Sequence, residues 1–371
     1  MHKTYSAAVV GGGPAGIAAV GVLLDRARRS ATSNTIQVAE IAWIDPKFGG
    51  GRLAKFPRVP SNTRVCLFTK FARSCASFQP HRNRVLKQME EELDSQRGCQ
   101  LRWAHSLCTE LTSILRQDKG VNAFEDVVEE CRKDQATGFW TLKLRSSGQV
   151  ITAKEVILAT GSAPKTLSHL QPQIDLETAL DPPSLQASLP EDAIVAVWGS
   201  SHSAMLVLMN LLACQKVKRV YNYYRAPLKF AEIPDPVGRP DYIIHDNTGL
   251  KGETAEWVRD WHSEGIEEHF GGRLVRKQCG GSDFAPANDI SVHICAVGYD
   301  NNALPIISPS PAMPPRYTSQ GELLSEKDGQ VIGGLFGFGI GFPERVVDVD
   351  GTPEGAVGMW KFMKYIQSSL K

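Results

Sequence analysis

Three glycines near the start of the chain have the spacing of a phosphate-binding loop. Gly11, Gly13 and Gly16 form a G-x-G-x-x-G pattern between an apolar run at residues 7–10 and an alanine-rich apolar stretch at 17–24. This pattern predicts a buried strand, a tight turn and a helix, in which the glycines let a pyrophosphate approach the backbone and the helix N-terminus. The predicted dinucleotide contacts are Gly11, Gly13, Pro14, Ala15 and Gly16.

An acidic residue closes the next predicted strand, at residues 41–44. Asp45 has the position from which a carboxylate accepts the ribose hydroxyls of a bound dinucleotide. The polar stretch 26–34 predicts an extra loop before that strand. The glycine-rich residues 46–53, which include Arg52, can lie flat against a planar ligand because few side chains intervene.

A second unit of the same kind begins in the middle of the chain. Residues 194–198 predict a strand and residues 205–213 a helix, and the turn between them has the relaxed spacing G-x-S-x-x-A. Small residues replace two glycines, so close approach of phosphates remains feasible. The predicted contacts of this loop are Gly199, Ser200, Ser201 and Ser203.

The strand predicted at residues 220–224 ends in a cation instead of an acid. Arg225 has the charge and the planar donors that a 2′-phosphate requires, which favours NADPH over NADH. The alternative is that Arg225 is an ordinary surface charge that follows a strand.

Composition narrows the functional classes. The chain has 371 residues, of which 42% are hydrophobic and 22% charged, and a net charge of +1. These values are typical of a globular protein of two or three domains and give no electrostatic case for nucleic acid or an anionic membrane. The chain also lacks a membrane-spanning apolar run and a signal peptide, so we expect a cytoplasmic protein that binds no membrane. Its eight cysteines include no C-x-x-C pair, and the histidines lack metal-ligand spacing, so no metal site is predicted.

Further along the chain, residues 139–144 and 150–152 predict a hairpin, and residues 155–160 predict a separate buried strand. Thr352 and Pro353 predict the N-cap and first position of the last helix. The expected fold class is therefore α/β, with two Rossmann-like domains, and the family resemblance described next implies that the second is inserted into the first. The predicted boundaries are residues 1–190 for the first part of one domain, 191–292 for the inserted domain and 293–371 for the second part.

Five stretches, in order, resemble the two-dinucleotide-binding-domain flavoproteins. This superfamily includes pyridine nucleotide-disulfide reductases, thioredoxin reductases and class B flavin monooxygenases. Residues 11–16 look like its FAD loop and 199–204 like its NAD(P)H loop. Residues 158–161 and 296–305 are similar to its two interdomain crossings, and residues 337–341 to its last strand. The resemblance implies FAD and NADPH as cofactors, with further contacts from Thr160, Gly161, Gly298, Tyr299, Gly339 and the helix N-terminus at Thr352 and Pro353.

The chain departs from these relatives at three places. The redox cysteine pair of the disulfide reductases is missing. The final glycine turn lacks the acid that holds the flavin ribityl chain, which leaves Asp348 or Asp350 as substitutes. The F-x-G-x-x-x-H fingerprint of flavin-containing and Baeyer–Villiger monooxygenases is absent before residue 194.

One local likeness favours oxygen chemistry. Residues 50–62 are similar to a run of the flavin-containing monooxygenases in which an asparagine lies near flavin C4a, and here that residue is Asn62. The alternative is that Asn62 is a turn residue. His202, within the second loop, could face the nicotinamide ribose or the phosphates, or it could simply fill the loop.

The resemblance implies a monooxygenase that acts through a flavin C4a-hydroperoxide on a small organic substrate such as an amine, a thioether or an activated carbon. Asn62 and His202 are the candidate catalytic residues, and Arg52 is a candidate cofactor contact. Two alternatives remain open: a reductase or oxidase of a small acceptor, and a non-catalytic FAD-binding regulatory protein. Members of the superfamily are often dimers, so a homodimer is possible.

Overall fold

The computed structural model describes residues 3–30, 40–232, 243–265, 269–280, 284–348 and 351–370. In these parts of the chain the helices and strands form two sheet-centred units. Nine helices are labelled α1 to α9 in chain order: Pro14–Ser30, Val65–Arg73, Arg84–Glu92, Leu101–Arg116, Leu176–Ala179, Pro182–Ser188, His202–Ala213, Gly252–Glu264 and Met359–Ser369.

Twenty strands alternate with these helices in the described residues. Strands β1 to β10 are Thr4–Val10, Ile41–Ile44, Pro60–Arg64, Gly98–Gln100, Val121–Phe124, Val128–Lys133, Trp140–Leu144, Val150–Leu158, Ser162–Pro164 and Gln173–Ile174. Strands β11 to β20 are Ala193–Trp198, Val217–Tyr224, Leu274–Gln278, Val292–Cys295, Tyr299–Asn301, Ile306–Ser308, Glu322–Leu324, Val331–Gly337, Glu344–Val347 and Pro353–Ala356.

The first sheet has nine strands in the order β16-β6-β7-β8-β1-β2-β5, with β17 and β18 attached through β18 to β8. Its central pairs, β8–β1 and β1–β2, are parallel. Helices α1, α4 and α9 cover one face of this sheet with a continuous apolar core. Because β1 is buried between two parallel neighbours, the apolar run at residues 7–10 has no polar alternation.

The second sheet has five strands in the order β10-β14-β11-β12-β13, and all of its pairs are parallel. Its strands come from residues 173–295, whereas those of the first sheet come from residues 4–158 and 306–337. The predicted α/β class with one Rossmann-like unit inserted into another is confirmed. The second sheet includes β10 and extends through β14 to Cys295; the predicted domain boundaries of 191 and 292 stay a prediction.

The first local prediction that differs from the structure concerns the strands between residues 139 and 160. The second strand of the predicted hairpin and the buried strand after it form one continuous strand, β8, which pairs with β7 through its first half and with β18 through its second half. Within the described parts of the chain, no helix combines the length and hydrophobicity needed to cross a membrane.

The prediction that Thr352 and Pro353 begin the last helix is wrong. Pro353 starts strand β20, which pairs with β19 in an antiparallel hairpin, and Glu354 is 6% exposed. Helix α9 begins only at Met359, after Gly358 at φ 144°. The local Thr-Pro signal is overridden because residues far away in the sequence bury Glu354, as described below.

Candidate cofactor sites

The first glycine loop has the backbone geometry that its sequence predicts. Gly11 has φ 123°, and a Cβ atom there would lie 2.2 Å from the carbonyl oxygen of Ala159. Its N–H donates to the carbonyl of Ile44 over 2.8 Å. A Cβ on Gly16 would lie 1.9 Å from the carbonyl oxygen of Gly11. Glycine is therefore required at both positions for the turn and for close helix packing.

Gly13 is different, because it faces open space. A Cβ at Gly13 would meet only the Cα of Gly51, at 3.7 Å, so the glycine-rich loop lies directly against this turn. Gly339 approaches from the other side, where its Cβ would lie 2.7 Å from the Cβ of Ala15. Three segments predicted to contact one cofactor thus converge. The open cradle at Gly13, above a helix N-terminus, fits the pyrophosphate of FAD.

Asp45 ties this loop to the end of β2. Its Oδ2 accepts the backbone N–H of Gly12 at 2.6 Å, and its Oδ1 accepts those of Lys47 at 2.9 Å and Phe48 at 2.7 Å. A carboxylate has about four acceptor sites, so it can still accept a ribose hydroxyl. Asp45 therefore has a structural role in addition to its predicted ligand contact.

The second loop repeats the geometry of the first. Gly199 has φ 124°, and its Cβ would lie 2.2 Å from the carbonyl oxygen of Ala296. Its N–H donates to the carbonyl of Tyr223 over 2.8 Å. Ser200 differs from its counterpart Gly12, since its Oγ donates to the carbonyl of Ala226 over 2.9 Å. The two loops therefore share a backbone geometry but are anchored to the next strand by different side chains.

The serines of the second loop divide into two kinds. Ser201 is exposed and precedes α7 without a side-chain capping bond. Ser203 lies beside the phenol of Tyr299, whose pKa is raised by burial and lowered by this neighbouring hydroxyl. The structure thus joins the second loop to the second crossing between domains, as expected if both contact one dinucleotide.

Strand register shows which residue corresponds to Asp45. Ile44 receives the N–H of Gly11 and Tyr223 receives that of Gly199, so the residue that follows each is equivalent. The counterpart of Asp45 is therefore Tyr224, a neutral residue. Arg225 comes one position later and is exposed. No carboxylate occupies the position that would repel a 2′-phosphate.

Sequence analysis missed one residue in each unit that holds the loop. Trp43 Nε1 donates to the carbonyl of Gly11 over 2.9 Å. Asn222 Nδ2 donates to the carbonyl of Gly199 over 2.7 Å. A buried asparagine in an otherwise apolar strand was a usable signal, whereas a tryptophan in an apolar strand gave none.

The two crossings between the domains lie side by side, as β9 and β15 of one antiparallel pair. Asn302 Nδ2 donates to the carbonyl of Thr160 over 2.7 Å. A Cβ on Gly341 would lie 3.0 Å from the carbonyl oxygen of Gly161. Gly298 adopts φ 101° at the entry to β15. The crossing motifs therefore meet beside the final glycine turn.

Arg52 lies on the face of the glycine-rich loop that meets the inserted unit. Its guanidinium and the ammonium of Lys55 both pair with Glu177, at the start of α5. Arg58 pairs with Asp181 at 2.6 Å. Three cations of the first unit thus hold two acids of the connecting segment, and Arg52 is engaged by protein.

His202 and Asn62 are brought to the same region but differ in burial. His202 begins α7 and has its Nε2 3.5 Å from the hydroxyl of Thr254, and its buried Nδ1 has no hydrogen-bond partner among the described residues. Burial, with a smaller contribution from the nearby Lys251, lowers the pKa of His202 to about 4. Asn62 is exposed on β3.

The two acids suggested as substitutes near the ribityl chain have other surroundings. Asp348 accepts Nδ1 of His245 at 2.5 Å and the backbone N–H of His245 at 3.0 Å. Asp350 lies outside the described residues.

A clasp of residues 245–248 joins the inserted unit to the C-terminal part. Besides His245 on Asp348, Thr248 Oγ1 donates to Glu354 at 2.5 Å, and Lys361 Nζ pairs with Asp246 at 2.6 Å. The ligand atoms of His245, Asp348 and Glu354 lie within 4.8 Å of one another, but these hydrogen bonds occupy them. This arrangement arises from tertiary contact, so residue spacing could not predict it.

Comparison with known proteins identifies the superfamily. The family model described as FAD-NAD(P)-binding matches residues 8–163. Monooxygenase AgnR1 of Paecilomyces divaricatus is 33% identical over 396 residues, which cover 98% of this chain and 96% of the relative. The chain belongs to the two-dinucleotide-binding-domain flavoproteins.

Solved structures of this superfamily share the fold. The ornithine N-hydroxylase of Kutzneria sp. 744 superposes with a TM-score of 0.64 at 14% identity, over 99% of this flavoprotein and 98% of that chain. The thioredoxin reductase of Lactococcus lactis gives 0.52 at 12% identity, over 99% and 97%. The predictions of an FAD- and NAD(P)-binding protein and of an oxidoreductase of the monooxygenase class are confirmed. The preference for NADPH over NADH stays a prediction.

Proposed function

We propose that this monooxygenase holds FAD at residues 11–16 and NADPH at residues 199–204, and oxygenates a small nucleophilic substrate beside residues 49–62. The observation that carries the proposal is the repeated loop geometry of Gly11 and Gly199, one in each sheet. Two such loops connected by paired crossings allow two dinucleotides to meet between the units.

The path of electrons follows from the cysteines. All eight cysteines are free, and no two have dithiol spacing. Bound FAD would therefore supply electrons to O2 or to a docked acceptor without a dithiol relay in the chain. In the proposed reaction NADPH, a proton, O2 and the substrate give NADP⁺, water and the oxygenated product.

Bound FAD supplies hydride acceptance and oxygen activation, and the chain supplies orientation and electrostatics. Gly13 leaves room for the pyrophosphate, and Asp45 accepts the ribose hydroxyls. Arg225 donates to the 2′-phosphate, which its exposed position permits. The N-terminus of α9, at Met359, would supply to a bound flavin the positive dipole end that the sequence predicts at Thr352.

Asn62 and His202 receive different roles. The exposed amide of Asn62 would be free to donate a hydrogen bond to a flavin bound beside β3. His202 is neutral at pH 7 because its pKa is depressed, so it neutralises no phosphate charge; we assign it to the joint between α7 and β3. Arg52 acts in the same joint through Glu177.

The substrate class rests on relatives and on chemistry. Solved neighbours include hydroxylases of ornithine and lysine 6-monooxygenase, whose substrates carry amines. An amine, a thioether or an activated carbon is therefore the proposed substrate of this chain. Residues 226–252 are the segment proposed to border it, of which 233–242 lie outside the described residues.

The test follows NADPH oxidation, O2 uptake and hydrogen peroxide in parallel, with candidate amines and thioethers. We expect a substrate that lowers the peroxide yield and appears as an oxygenated product. Asn62→Ala should raise the peroxide yield, whereas Arg64→Ala, two positions along the same strand, should not. Slow reoxidation by O2 together with fast reoxidation by a quinone or enone would instead favour the reductase alternative.

A further inference from the structure

The side-chain amide of Asn222 hydrogen-bonds the backbone of the second glycine loop. It is fully buried on β12, and its Nδ2 donates to the carbonyls of Gly199 at 2.7 Å and Val197 at 3.1 Å. Its Oδ1 accepts Nε of Arg276, on β13, at 2.9 Å. Because a guanidinium can only donate, Arg276 fixes which end of the amide faces the loop.

Arg276 is held without a carboxylate partner in the described residues. Its guanidinium carbon lies 4.4 Å from the ring centroid of Tyr224 and 5.6 Å from that of Trp261. Its buried Nη2 has no hydrogen-bond partner among the residues described. Burial lowers the pKa of this guanidinium, so the site holds an incompletely compensated positive charge.

We propose that Arg276 is a positioning residue for the nicotinamide dinucleotide, which acts through Asn222 on the Gly199 loop and favours an anionic ligand by its unpaired charge. The assignment rests on the proposed function, because it requires a dinucleotide at this loop. In the described residues of the first unit, the carbonyl of Gly11 is held by Trp43 Nε1 instead. An indole N–H can only donate, so it needs no second residue to fix its orientation.

The proposal separates Arg276 from Arg225. Arg225 is assigned to the 2′-phosphate, so its loss affects NADPH and spares NADH. Arg276 acts on the loop that both dinucleotides share, so its loss weakens both by a similar factor. That pattern distinguishes a positioning residue from a second phosphate contact.

The experiment measures the Kd of NADPH and NADH by calorimetry under anaerobic conditions, with the bound FAD already reduced by dithionite so that neither dinucleotide transfers hydride. Arg276→Met removes the donor and the charge but keeps an apolar side chain against Tyr224. We expect both Kd values to rise about tenfold, the size of one lost charge-assisted bond, with unchanged FAD content. Arg225→Ala is the matched control and should affect NADPH alone.

Arg276→Lys and Asn222→Asp extend the test in case Arg276→Met does not fold. The lysine keeps the charge without the planar Nε donor, and the aspartate keeps the partner of Arg276 but removes the donor to Gly199. Both should weaken both dinucleotides. Wild-type affinities in a folded variant that lacks the Arg276–Asn222 bond would overturn this assignment alone, whereas a wild-type protein that binds neither dinucleotide would overturn the proposed function with it.

Discussion

The two glycine loops share a backbone and differ in the side chains that surround it. Gly11 and Gly199 have the same φ to within a degree, at 123° and 124°, and each would place a Cβ 2.2 Å from a carbonyl oxygen. The first loop is anchored by the carboxylate of Asp45, and the second has neutral Tyr224 in that place, followed by Arg225. Under the proposed function, the shared backbone would admit a dinucleotide at each loop, and the residues that follow the next strand would select which dinucleotide binds.

The largest expected effect tests whether Gly13, which faces open space, differs from Gly11 and Gly16, which are packed against carbonyl oxygens. Gly13→Val should abolish FAD binding and leave the fold intact, because a Cβ at Gly13 meets protein only at 3.7 Å. The flavin-to-protein absorbance ratio and the melting temperature measure the two parts. Ser201→Val, at the matching position, should retain FAD and lose NADPH. A yellow Gly13→Val protein would contradict the assignment of the first loop to FAD.

The next effect tests whether Gly11 and Gly199 require glycine to the same extent. Gly11→Ala and Gly199→Ala each force a side chain into positive φ and against a carbonyl, which should cost about 3 kcal/mol of unfolding free energy. Denaturant titration of each variant measures this cost. If one variant is tolerated and the other is not, the loops are less alike in solution than their geometry implies.

Arg225→Ala tests whether the residue after the second strand selects NADPH over NADH. A guanidinium on a 2′-phosphate contributes about 1.5–3 kcal/mol, so NADPH should lose roughly one to two decades of selectivity over NADH. The ratio of kcat/KM for the two dinucleotides is the measurement. Equal use of both by the wild type would remove the basis for this assignment.

The smallest effect concerns pH, to which the two loops should respond differently. His202 occupies the place that Pro14 has in the first loop, and its pKa is lowered from 6.5 to about 4. The unfolded chain therefore binds more protons than the folded one between these values, so stability falls as the pH drops through about 6.5 toward 4. Between pH 7.5 and 5.5 the loss should be about 1 kcal/mol.

His202→Gln, which cannot titrate, is the control for this pH dependence. Urea titrations of both proteins at the two pH values give the difference directly. The same slope in wild type and variant would mean that His202 does not carry the effect.

Much of the site was predictable because it is local. The strand, turn and helix around Gly11, and those around Gly199, each lie within one short stretch whose glycine and apolar pattern is specific. Asp45 follows β2 as predicted, whereas the equivalent residue after the second loop is Tyr224 and not Arg225. Helix α4 is also predictable from the sequence, because its apolar residues recur at helical spacing: Ala104, Leu107, Cys108, Leu111 and Leu115.

The remainder depended on residues distant in sequence. Thr352 and Pro353 have a helix-start signal, but Glu354 is buried by Asn247 and Thr248, more than 100 positions earlier. Asn222 could be noticed as a polar residue in a strand, but its bond to Arg276 requires the register of β12 with β13. Neither contact leaves a pattern in the chain near the residue concerned.

The split of the first sheet has a consequence for synthesis of the protein. Residues Val150 to Ala153 of β8 pair with β7. Its later residues pair with β18, in which Leu335 is opposite Val156, and β18 is synthesised only after the inserted unit. At about 5–20 residues per second, a ribosome needs on the order of 10–30 s to supply that partner. The inserted unit, contiguous between β10 and β14, emerges complete during this interval. The first sheet is thus begun first and finished last, with the edge of β8 that β18 covers left unpaired while the inserted unit folds.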